Sequence, residues 1–186
     1  MKIAPLKLPG AYQVTLEPIG DSRGYFVRTY DEAIFRDNGL QTSWIQESQS
    51  LTSGKHTVRG IHFQRAPHAE TKLVRVLRGA ILDVFVDLRK DSPTYGEWDS
   101  VELSEDNNFA VYLSKGLGHG FCSLTDSAVV AYKMDYPYVP EAAGDLRWND
   151  PAINIKWPTD DPKLSEKDAA APFLERFEPI DLSNTS

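Results

Sequence analysis

A long series of short strand-like segments, with almost no helix between them, is the feature that most constrains how this chain can fold. The segments are rich in β-branched and aromatic residues, and turn signals such as Asp91-Ser-Pro-Thr94 separate them. The predicted strands are residues 14–18, 24–30, 57–64, 72–77, 80–88, 98–103, 109–113, 119–124 and 128–134. Parallel strands would need longer, usually helical, crossover connections. The spacing therefore favours an all-β sandwich or jelly roll.

Helix is expected at only two places. Residues 31–38 begin with acidic residues, contain an apolar Ala-Ile-Phe stretch and end before Gly39, which is the pattern of a short capped helix. A second helix is expected to begin near Ser165. The tail from Tyr136 is rich in proline and contains Trp148 and Trp157. Free tails seldom carry two tryptophans, so this tail is predicted to wrap over the barrel as ordered loops.

Length and charge limit the classes of function. The 186 residues predict a single domain over 1–186. With 27 acidic and 20 basic side chains the formal charge is −7, which argues against nucleic-acid binding but not against an anionic ligand held by a few arginines. The lone Cys122 excludes an internal disulfide framework and a cysteine zinc cluster. No apolar run suits a membrane span or a leader, so we expect a cytoplasmic protein without membrane partners.

Lys72 does not fit a plain β-barrel. Strict alternation along the strand from Lys72 places it on the same face as Val74 and Val76. A cation inside the barrel mouth is costly unless it is paired, so that position would require an anionic partner or a developing negative charge. The alternative places Lys72 at the strand end in solvent, and the pattern alone favours this alternative because lysine is mostly exposed.

His62 is a candidate general base, because histidine titrates near neutral pH. A hydrogen-bonded structural histidine is the alternative, and for a single histidine it is the better interpretation. Alternation also places Arg59 and His62 on opposite faces of their strand. If both face one pocket, Gly60 must mark a bulge or the start of the strand.

Three further side chains have a structural and a chemical interpretation. Tyr132 is either ordinary core or a proton donor. His119 follows a glycine-rich turn and is expected at the barrel rim, in either a functional or a structural role. Asp168 closes a loose capping box that begins at Ser165, and the alternative is that its carboxylate orients a histidine.

Metal chemistry is the competing interpretation of the histidines. His62, His68, Glu70 and His119 invite comparison with metal cupins, whose usual ligand set needs two histidines one residue apart and then a glutamate. Here His62 and His68 are six residues apart. An open catalytic site needs about three converging protein ligands. We therefore expect no metal, and we keep a metal-dependent cupin that uses His62, Glu70 and His119 as the alternative.

Taken as an ordered set, the motifs of this chain resemble the dTDP-4-dehydrorhamnose 3,5-epimerases. Each motif alone is weak, but their joint order and spacing are highly specific, and they cover roughly residues 10–170. The matching segments are residues 21–26, 58–62, 72–74, 83–89, 91–96, 118–121, Tyr132 with Tyr138, 148–151, 157–158 and 165–168. The resemblance implies a cupin-type jelly roll, a homodimer, and no metal or redox cofactor.

The resemblance also implies an enzyme that inverts C3, C5 or both in a nucleotide-diphosphate 4-keto-6-deoxyhexose, with dTDP as the expected nucleotide. It makes His62 the general base, oriented by Asp168. It makes Lys72 the residue that stabilises the enolate oxygen, and Tyr132 the proton donor on the opposite face. A non-catalytic sugar-nucleotide-binding module on the same barrel is a further alternative, although the presence of all four residues argues against it.

Substrate binding is implied for a second group of residues. By resemblance Arg23 and Arg59 contact the diphosphate, Phe26 and Tyr138 contact the nucleobase, and His119 lies beside the sugar. Gln46 and Lys167 complete the group. The full set is Arg23, Phe26, Gln46, Arg59, His119, Tyr138 and Lys167.

Two departures from the family pattern bear on the substrate rather than on proton transfer. Arg28 stands where glutamate is usual, and Ser48 or Gln49 stands where an asparagine is expected. These positions concern the nucleotide and the sugar, so the sequence leaves open the nucleobase and which stereocentres are inverted.

Overall fold

The computed structural model describes residues 1–183 and builds them mainly from antiparallel strands. The strands are β1 Lys2–Pro5, β2 Ala11–Thr15, β3 Ile19–Asp21, β4 Gly24–Phe26, β5 Gln46–Ser53, β6 Val58–Gln64, β7 Lys72–Arg78, β8 Ala80–Asp87, β9 Trp98–Ser104, β10 Phe109–Leu113, β11 Leu117–Ser123, β12 Ser127–Met134 and β13 Ala143–Asp145. The α-helices are α1 Glu32–Asp37 and α2 Glu166–Ala170, and a 3₁₀ turn covers Leu174–Arg176.

Two sheets face each other across an apolar core. One has the order β1-β2-β10-β7-β12-β5 and the other the order β13-β6-β11-β8-β9, while β3 and β4 form a separate hairpin. The core between the sheets draws side chains from both, including Val74, Val76, Ile81, Phe85, Leu103, Val111, Phe121 and Val130. The all-β jelly-roll class expected from the sequence is confirmed.

The outer face of each sheet is covered by the rest of the chain. Phe35 of α1 is fully buried in a cluster with Val14 and Leu73, on the outside of the six-stranded sheet. The tail covers the five-stranded sheet, and its Ile153 and Phe177 pack with Ile61 and other strand residues. Full burial of such a side chain stabilises the fold by roughly 1.5–3 kcal/mol. The prediction that the tail forms ordered loops over the barrel is confirmed.

Both expected helices are present and capped as expected. The Asp31 side chain accepts hydrogen bonds from the backbone N–H groups of Ala33 and Ile34. The Ser165 hydroxyl accepts from the backbone N–H of Asp168 at 3.0 Å, so the N-cap contact of the expected capping box is formed. No helix within residues 1–183 has the length and apolar character needed to cross a membrane.

Strand prediction missed the three-residue and four-residue strands β1, β3 and β13, and it was also wrong at two other places. The segment 24–30 forms a strand only over Gly24–Phe26. Strand β5, with the sequence Gln-Glu-Ser-Gln-Ser-Leu-Thr-Ser, was missed because it is mostly polar and has no β-branched run. It is an edge strand that pairs with β12 from Gln46 to Ser53, so backbone hydrogen bonds rather than side-chain burial maintain it.

A buried carboxylate fixes the turn after β8. Asp87 is fully buried, and one oxygen accepts from the backbone N–H and Nε of Arg89 at 3.1 and 2.9 Å. The other oxygen accepts from Arg89 Nη2, Ser92 Oγ and Thr94 Oγ1, each at 2.6 Å. One side chain therefore satisfies five donors and holds the Asp-Ser-Pro-Thr turn against the sheet.

Replacing this carboxylate should destabilise the fold. We expect Asp87→Asn to lower the free energy of unfolding by roughly 3 kcal/mol, as when one partner of a buried ion pair is lost. Burial raises the pKa of Asp87, but the hydrogen bonds from Arg89, Ser92 and Thr94 outweigh it and hold the pKa below its usual value. The ionised Asp87 carboxylate therefore stabilises the fold fully above the pKa of unfolded aspartate, about 4. This stabilisation is lost as pH falls through the lower pKa of the folded state.

Urea unfolding of wild type and Asp87→Asn between pH 7 and pH 3 measures this effect. The difference between their free energies of unfolding should decrease in acid. Asp160→Asn is the control, because Asp160 lies exposed in a loop and its loss should change stability by less than about 0.5 kcal/mol. Equal stability of Asp87→Asn and wild type at pH 7 would contradict the prediction.

Candidate active site

A cavity of about 230 Å³ opens between the two sheets, and we call it the inner lobe. It receives side chains from β5, β6, β7, β11 and β12, so both sheets build it. Its lining residues are Ser50, Arg59, His62, Lys72, His119, Gly120, Phe121 and Tyr132. The sequence-predicted His62, Lys72 and Tyr132 therefore line one shared cavity.

A second cavity of about 430 Å³, the outer lobe, lies against the inner lobe on the side of α2. Arg59 and His62 line both lobes, so the two lobes adjoin at these side chains, and we call them together the cleft. The other residues of the outer lobe are Leu51, Ser53, Thr57, Val58, Lys163, Leu164, Ser165, Lys167 and Asp168.

Gly60 allows Arg59 and His62 to reach the same cleft. Its φ is +113°, a conformation that favours glycine, and a Cβ there would lie 2.6 Å from Gly120 Cα and 2.7 Å from the His119 carbonyl oxygen. The register between β6 and β11 shifts at this point. The expected irregularity at Gly60 is therefore present, and it cancels the alternation that would separate the two side chains.

His62 and Asp168 form a hydrogen-bonded pair. His62 Nε2 lies 2.7 Å from Asp168 Oδ1, and Asp168 is buried whereas the His62 side chain is 41% exposed toward the cleft. Burial raises the pKa of Asp168, but the hydrogen bond and charge of His62, with further donors from Ser165 and Gly60, hold it below its usual value. Asp168 takes part in both expected contacts, because its backbone N–H donates to the N-cap hydroxyl of Ser165 and its carboxylate faces His62.

Tyr132 is a partly buried, protonated phenol. Its hydroxyl lies 2.9 Å from Ser50 Oγ, and its ring meets the edge of the His119 ring at 6.4 Å between centroids. Burial raises the pKa of Tyr132 to about 12, although the hydrogen bond with Ser50 opposes this shift. The hydroxyl therefore carries its proton at neutral pH.

His119 lies deeper than the sequence suggested. It is the third residue of β11 rather than the first, and only 5% of its surface is exposed, so the expectation of a rim position was wrong. Its Nε2 lies 2.7 Å from Asp83 Oδ2, and Asp83 is fully buried on the neighbouring strand β8. His119 lines the inner lobe beside Tyr132, and Asp83 lies behind it.

Lys72 points into the inner lobe, so the solvent-facing interpretation was wrong. Its side chain is only 14% exposed, and its Nζ lies 3.2 Å from Glu70 Oε1. Val74 and Val76 follow on the same strand face and are buried in the core between the sheets. Alternation therefore placed Lys72 correctly, and Glu70 supplies the counter-charge that a partly buried ammonium requires.

The outer lobe is cationic although the chain as a whole is acidic. Arg59, Lys163 and Lys167 line it, while the one carboxylate there, Asp168, is paired with His62. Arg59 donates to Thr52 Oγ1 at 3.0 Å and to the Leu51 carbonyl at 3.2 Å, which fixes its guanidinium over the cleft. Such a lobe suits an anionic ligand.

Gln46 and Tyr138 meet beside the cleft. The Gln46 side-chain oxygen accepts from the backbone N–H of Tyr138 at 3.1 Å, and Tyr138 is 61% exposed. Lys167 forms an ion pair with Asp145 at 2.9 Å, and this contact raises the pKa of Lys167, with Tyr138 contributing to the shift. Neither Gln46 nor Tyr138 lines the inner or the outer lobe.

Arg23 and Phe26 are not brought to this cleft. Both lie on the exposed β3–β4 hairpin, where Arg23 forms an ion pair with Asp21, and neither lines the inner or the outer lobe. Arg28 is also outside the cleft and pairs with Asp31 at 3.1 Å beside α1. Ser48 is exposed on β5 opposite Tyr132 and does not line the lobes.

The metal-cupin alternative is not supported by the geometry. Glu70 is paired with Lys72 and His119 with Asp83, and these two residues do not group with His62 as a set of metal ligands within residues 1–183. Another trio, His62, Asp145 and Asp168, has ligand atoms within 4.8 Å of one another. Its Asp145 is engaged by Lys167, and its Asp168 by His62.

Some residues of the cleft were missed by the sequence analysis. Ser50 lies on β5, which was not predicted as a strand. No sequence pattern therefore indicated that its hydroxyl contacts Tyr132. Lys163 reaches the outer lobe because it forms a parallel β-bridge with Thr57. No local sequence pattern predicts this long-range contact.

A side chain at Gly60 should damage both the fold and the cleft. We expect Gly60→Ala to lower the free energy of unfolding by more than about 3 kcal/mol, because its Cβ meets backbone atoms that cannot move aside. Gly39→Ala is the matched control: Gly39 has φ +69° and nothing within 4 Å of its Cβ position, so only about 1 kcal/mol is expected. Denaturant unfolding measures both, and equal losses would contradict the steric account.

Comparison with known proteins agrees with this geometry. The family model described as dTDP-4-dehydrorhamnose 3,5-epimerase matches residues 5–176. A curated enzyme of that name from Methanothermobacter thermautotrophicus is 46% identical over 164 residues, which cover 87% of this chain and 88% of the relative.

Solved structures give the same result. The Bacillus anthracis dTDP-4-dehydrorhamnose 3,5-epimerase, with TDP and PPi bound, has a TM-score of 0.90 and 39% identity, covering 93% of this chain and 99% of that one. The Legionella pneumophila dTDP-6-deoxy-D-glucose-3,5-epimerase, in complex with dTDP-4-keto-L-rhamnose, has a TM-score of 0.90 and 34% identity, covering 95% and 94%. This chain therefore belongs to the dTDP-4-dehydrorhamnose 3,5-epimerase family.

Proposed function

We propose that this chain is an epimerase that inverts the carbon centres adjacent to the 4-keto group of a dTDP-linked 4-keto-6-deoxyhexose, in deoxysugar biosynthesis. The observation that carries the proposal is the inner lobe itself. One cavity holds a histidine paired with a carboxylate, a protonated phenol and an ammonium. Proton transfer through an enolate needs these groups together, and family membership supports the substrate class.

The first step is removal of a proton. The ketone at C4 acidifies the hydrogens on C3 and C5, and His62 takes one of them as general base. Asp168, 2.7 Å from Nε2, fixes the imidazole and stabilises the imidazolium that forms. The partial exposure of His62 toward the cleft is consistent with direct contact with the sugar.

The second requirement is stabilisation of the enolate. As the proton leaves, negative charge moves to the C4 oxygen, and the Lys72 ammonium in the same lobe faces that charge. A preorganised cation in a partly desolvated site favours the enolate by several kcal/mol. His119 lies beside the sugar in this proposal.

The last step returns a proton to the opposite face of the sugar ring. Tyr132 is suited to it because burial keeps the hydroxyl protonated, and Ser50 orients that hydroxyl. A donor opposite the base inverts the centre, whereas return of the proton by His62 would restore the original configuration.

The outer lobe suits the nucleotide part of the substrate. In this proposal Arg59 and Lys167 bind the diphosphate, whose charge matches the cationic lining. Tyr138, which is exposed and whose backbone N–H donates to Gln46, contacts the nucleobase in this proposal.

Solvent exchange tests the reaction. Wild-type protein incubated with dTDP-4-keto-6-deoxyglucose in deuterated water should introduce deuterium at C3, C5 or both, as followed by NMR. His62→Ala should slow the exchange at least about a hundredfold. The control is His68→Ala, because His68 contacts Tyr136 and lies outside the cleft.

In the same experiment, Tyr132→Phe distinguishes proton removal by His62 from proton return to the opposite face of the sugar. It should retain exchange through His62 but form little inverted product, so the ratio of exchange to inversion rises. Absence of exchange with wild type would contradict the proposed function and leave a binding module. Exchange in His62→Ala at nearly the wild-type rate would remove His62 from the base role.

We also propose that the protein is a homodimer in which the β3–β4 hairpin of each copy reaches the other copy's cleft. The hairpin pairs only with itself, and its Ile19, Tyr25 and Phe26 are 75%, 67% and 65% exposed. Arg23 and Phe26 could then contact substrate, which they do not approach in their own chain. The cytoplasmic location expected from the sequence stays a prediction.

Mixed dimers test this arrangement. Arg23→Ala and His62→Ala should each be impaired alone, and sedimentation should give a mass of two chains. Mixing the two variants should restore activity, because half of the sites in a mixed dimer would combine the intact Arg23 of one copy with the intact His62 of the other. A monomer, or a mixture no more active than its components, would contradict the proposal.

A further inference from the structure

We infer that Glu70 is a positioning residue that fixes the Lys72 ammonium for enolate stabilisation, an inference that rests on the proposed function. Glu70 Oε1 lies 3.2 Å from Lys72 Nζ, and the two side chains are only 11% and 14% exposed. Glu70 does not line either lobe. It therefore acts through Lys72 rather than on the substrate.

Gln64 determines how Glu70 is oriented. The Gln64 side-chain oxygen accepts from the backbone N–H of Val139 at 2.6 Å, while its Nε2 faces the carbonyl oxygens of His68 and Pro137 at 3.0 and 3.2 Å. These backbone partners fix which end of the amide is oxygen and which is nitrogen. The same Nε2 lies 3.3 Å from Glu70 Oε2, so its two hydrogens are shared among three acceptors, of which Glu70 is one.

The two oxygens of Glu70 therefore have separate partners. Oε2 faces the fixed Gln64 amide, and Oε1 faces Lys72. An ionised carboxylate meets both needs because each oxygen accepts. A glutamine at this position would offer one acceptor to two donors, so one of the two contacts would be lost.

Fixing the ammonium matters because lysine has a long, flexible side chain. Free rotation would spread Nζ over several positions, and electrostatic stabilisation works only when the charge is in place before the reaction. The network runs from the backbone at Val139 through Gln64 and Glu70 to Lys72, so the fold itself sets the position of Nζ. Displacement of a reacting group by about 1 Å costs on the order of a hundredfold in rate.

Steady-state kinetics of Glu70→Ala and Glu70→Gln with dTDP-4-keto-6-deoxyglucose test the inference. Glu70→Ala should lower kcat by about tenfold to a hundredfold, with KM within about twofold of wild type, because the nucleotide contacts are distant. Glu70→Gln keeps one acceptor, so its kcat should lie between the kcat of Glu70→Ala and that of wild type. Glu97→Gln is the matched control, since it removes a carboxylate 2.9 Å from Lys7 on the surface and should leave kcat unchanged.

Binding of dTDP gives a readout that distinguishes positioning of Lys72 from disruption of the cleft. Glu70 lines neither lobe and is paired with the ammonium. Both variants should therefore bind dTDP with nearly the wild-type affinity in calorimetry while kcat falls.

The possible results separate this inference from the proposed function. Unchanged kcat in Glu70→Ala, with active wild type, would overturn the role of Glu70 alone. A loss of dTDP affinity in calorimetry as large as the loss of kcat would also overturn it, since that result indicates general disruption of the cleft. Absence of exchange with wild type would instead overturn the proposed function.

Discussion

The close approach of two backbones, at Gly60 on β6 and Gly120 on β11, is the constraint on which the cleft depends. A regular strand would direct Arg59 and His62 to opposite faces of the sheet. The positive φ of Gly60 and the register shift opposite it place both side chains on the boundary between the inner and outer lobes. One irregular residue thus connects the lobe suited to proton transfer with the lobe suited to an anion. It also explains why the two glycines cannot carry side chains.

The polar groups of the inner lobe occur mostly as pairs, because an isolated charge between two sheets would destabilise the fold. His62 is paired with Asp168, His119 with Asp83 and Lys72 with Glu70. In each pair one member faces the cavity and the other lies behind it. The partner behind restricts the orientation of the group in front, so the same contacts that make burial tolerable also preorganise the site. Tyr132 differs, since burial keeps it neutral and its one strong contact is the hydroxyl of Ser50.

The sequence predicted the parts of the fold that depend on local patterns. Alternation placed Val74 and Val76 in the core, and acidic or hydroxyl caps located both helices. Prediction from the sequence failed where contacts between distant segments determine the structure. Strand β5 is polar and exists because β12 offers it a backbone edge. His119 is buried because β11 begins two residues before it, at Leu117.

For Lys72 and Asp168 the residues alone favoured the structural interpretations, and only the joint order of the motifs indicated a shared site. The contacts of Glu70 with Gln64 and Lys72 combine a loop and two strands, so no pattern along the chain could reveal them.

The tail contributes to the site as much as the barrel does. Strands supply His62, Lys72, His119 and Tyr132 on rigid sheets, whereas Asp168, Lys163 and Lys167 come from the segment that follows the last strand. That segment is anchored by burial of Ile153, Phe177 and Ile180 against the five-stranded sheet, and the bridge from Lys163 to Thr57 fixes its approach to the cleft. The short helix α2 has only five residues and little intrinsic stability. The position of Asp168 beside His62 therefore depends on tail packing that lies on the opposite face of the sheet from the reaction.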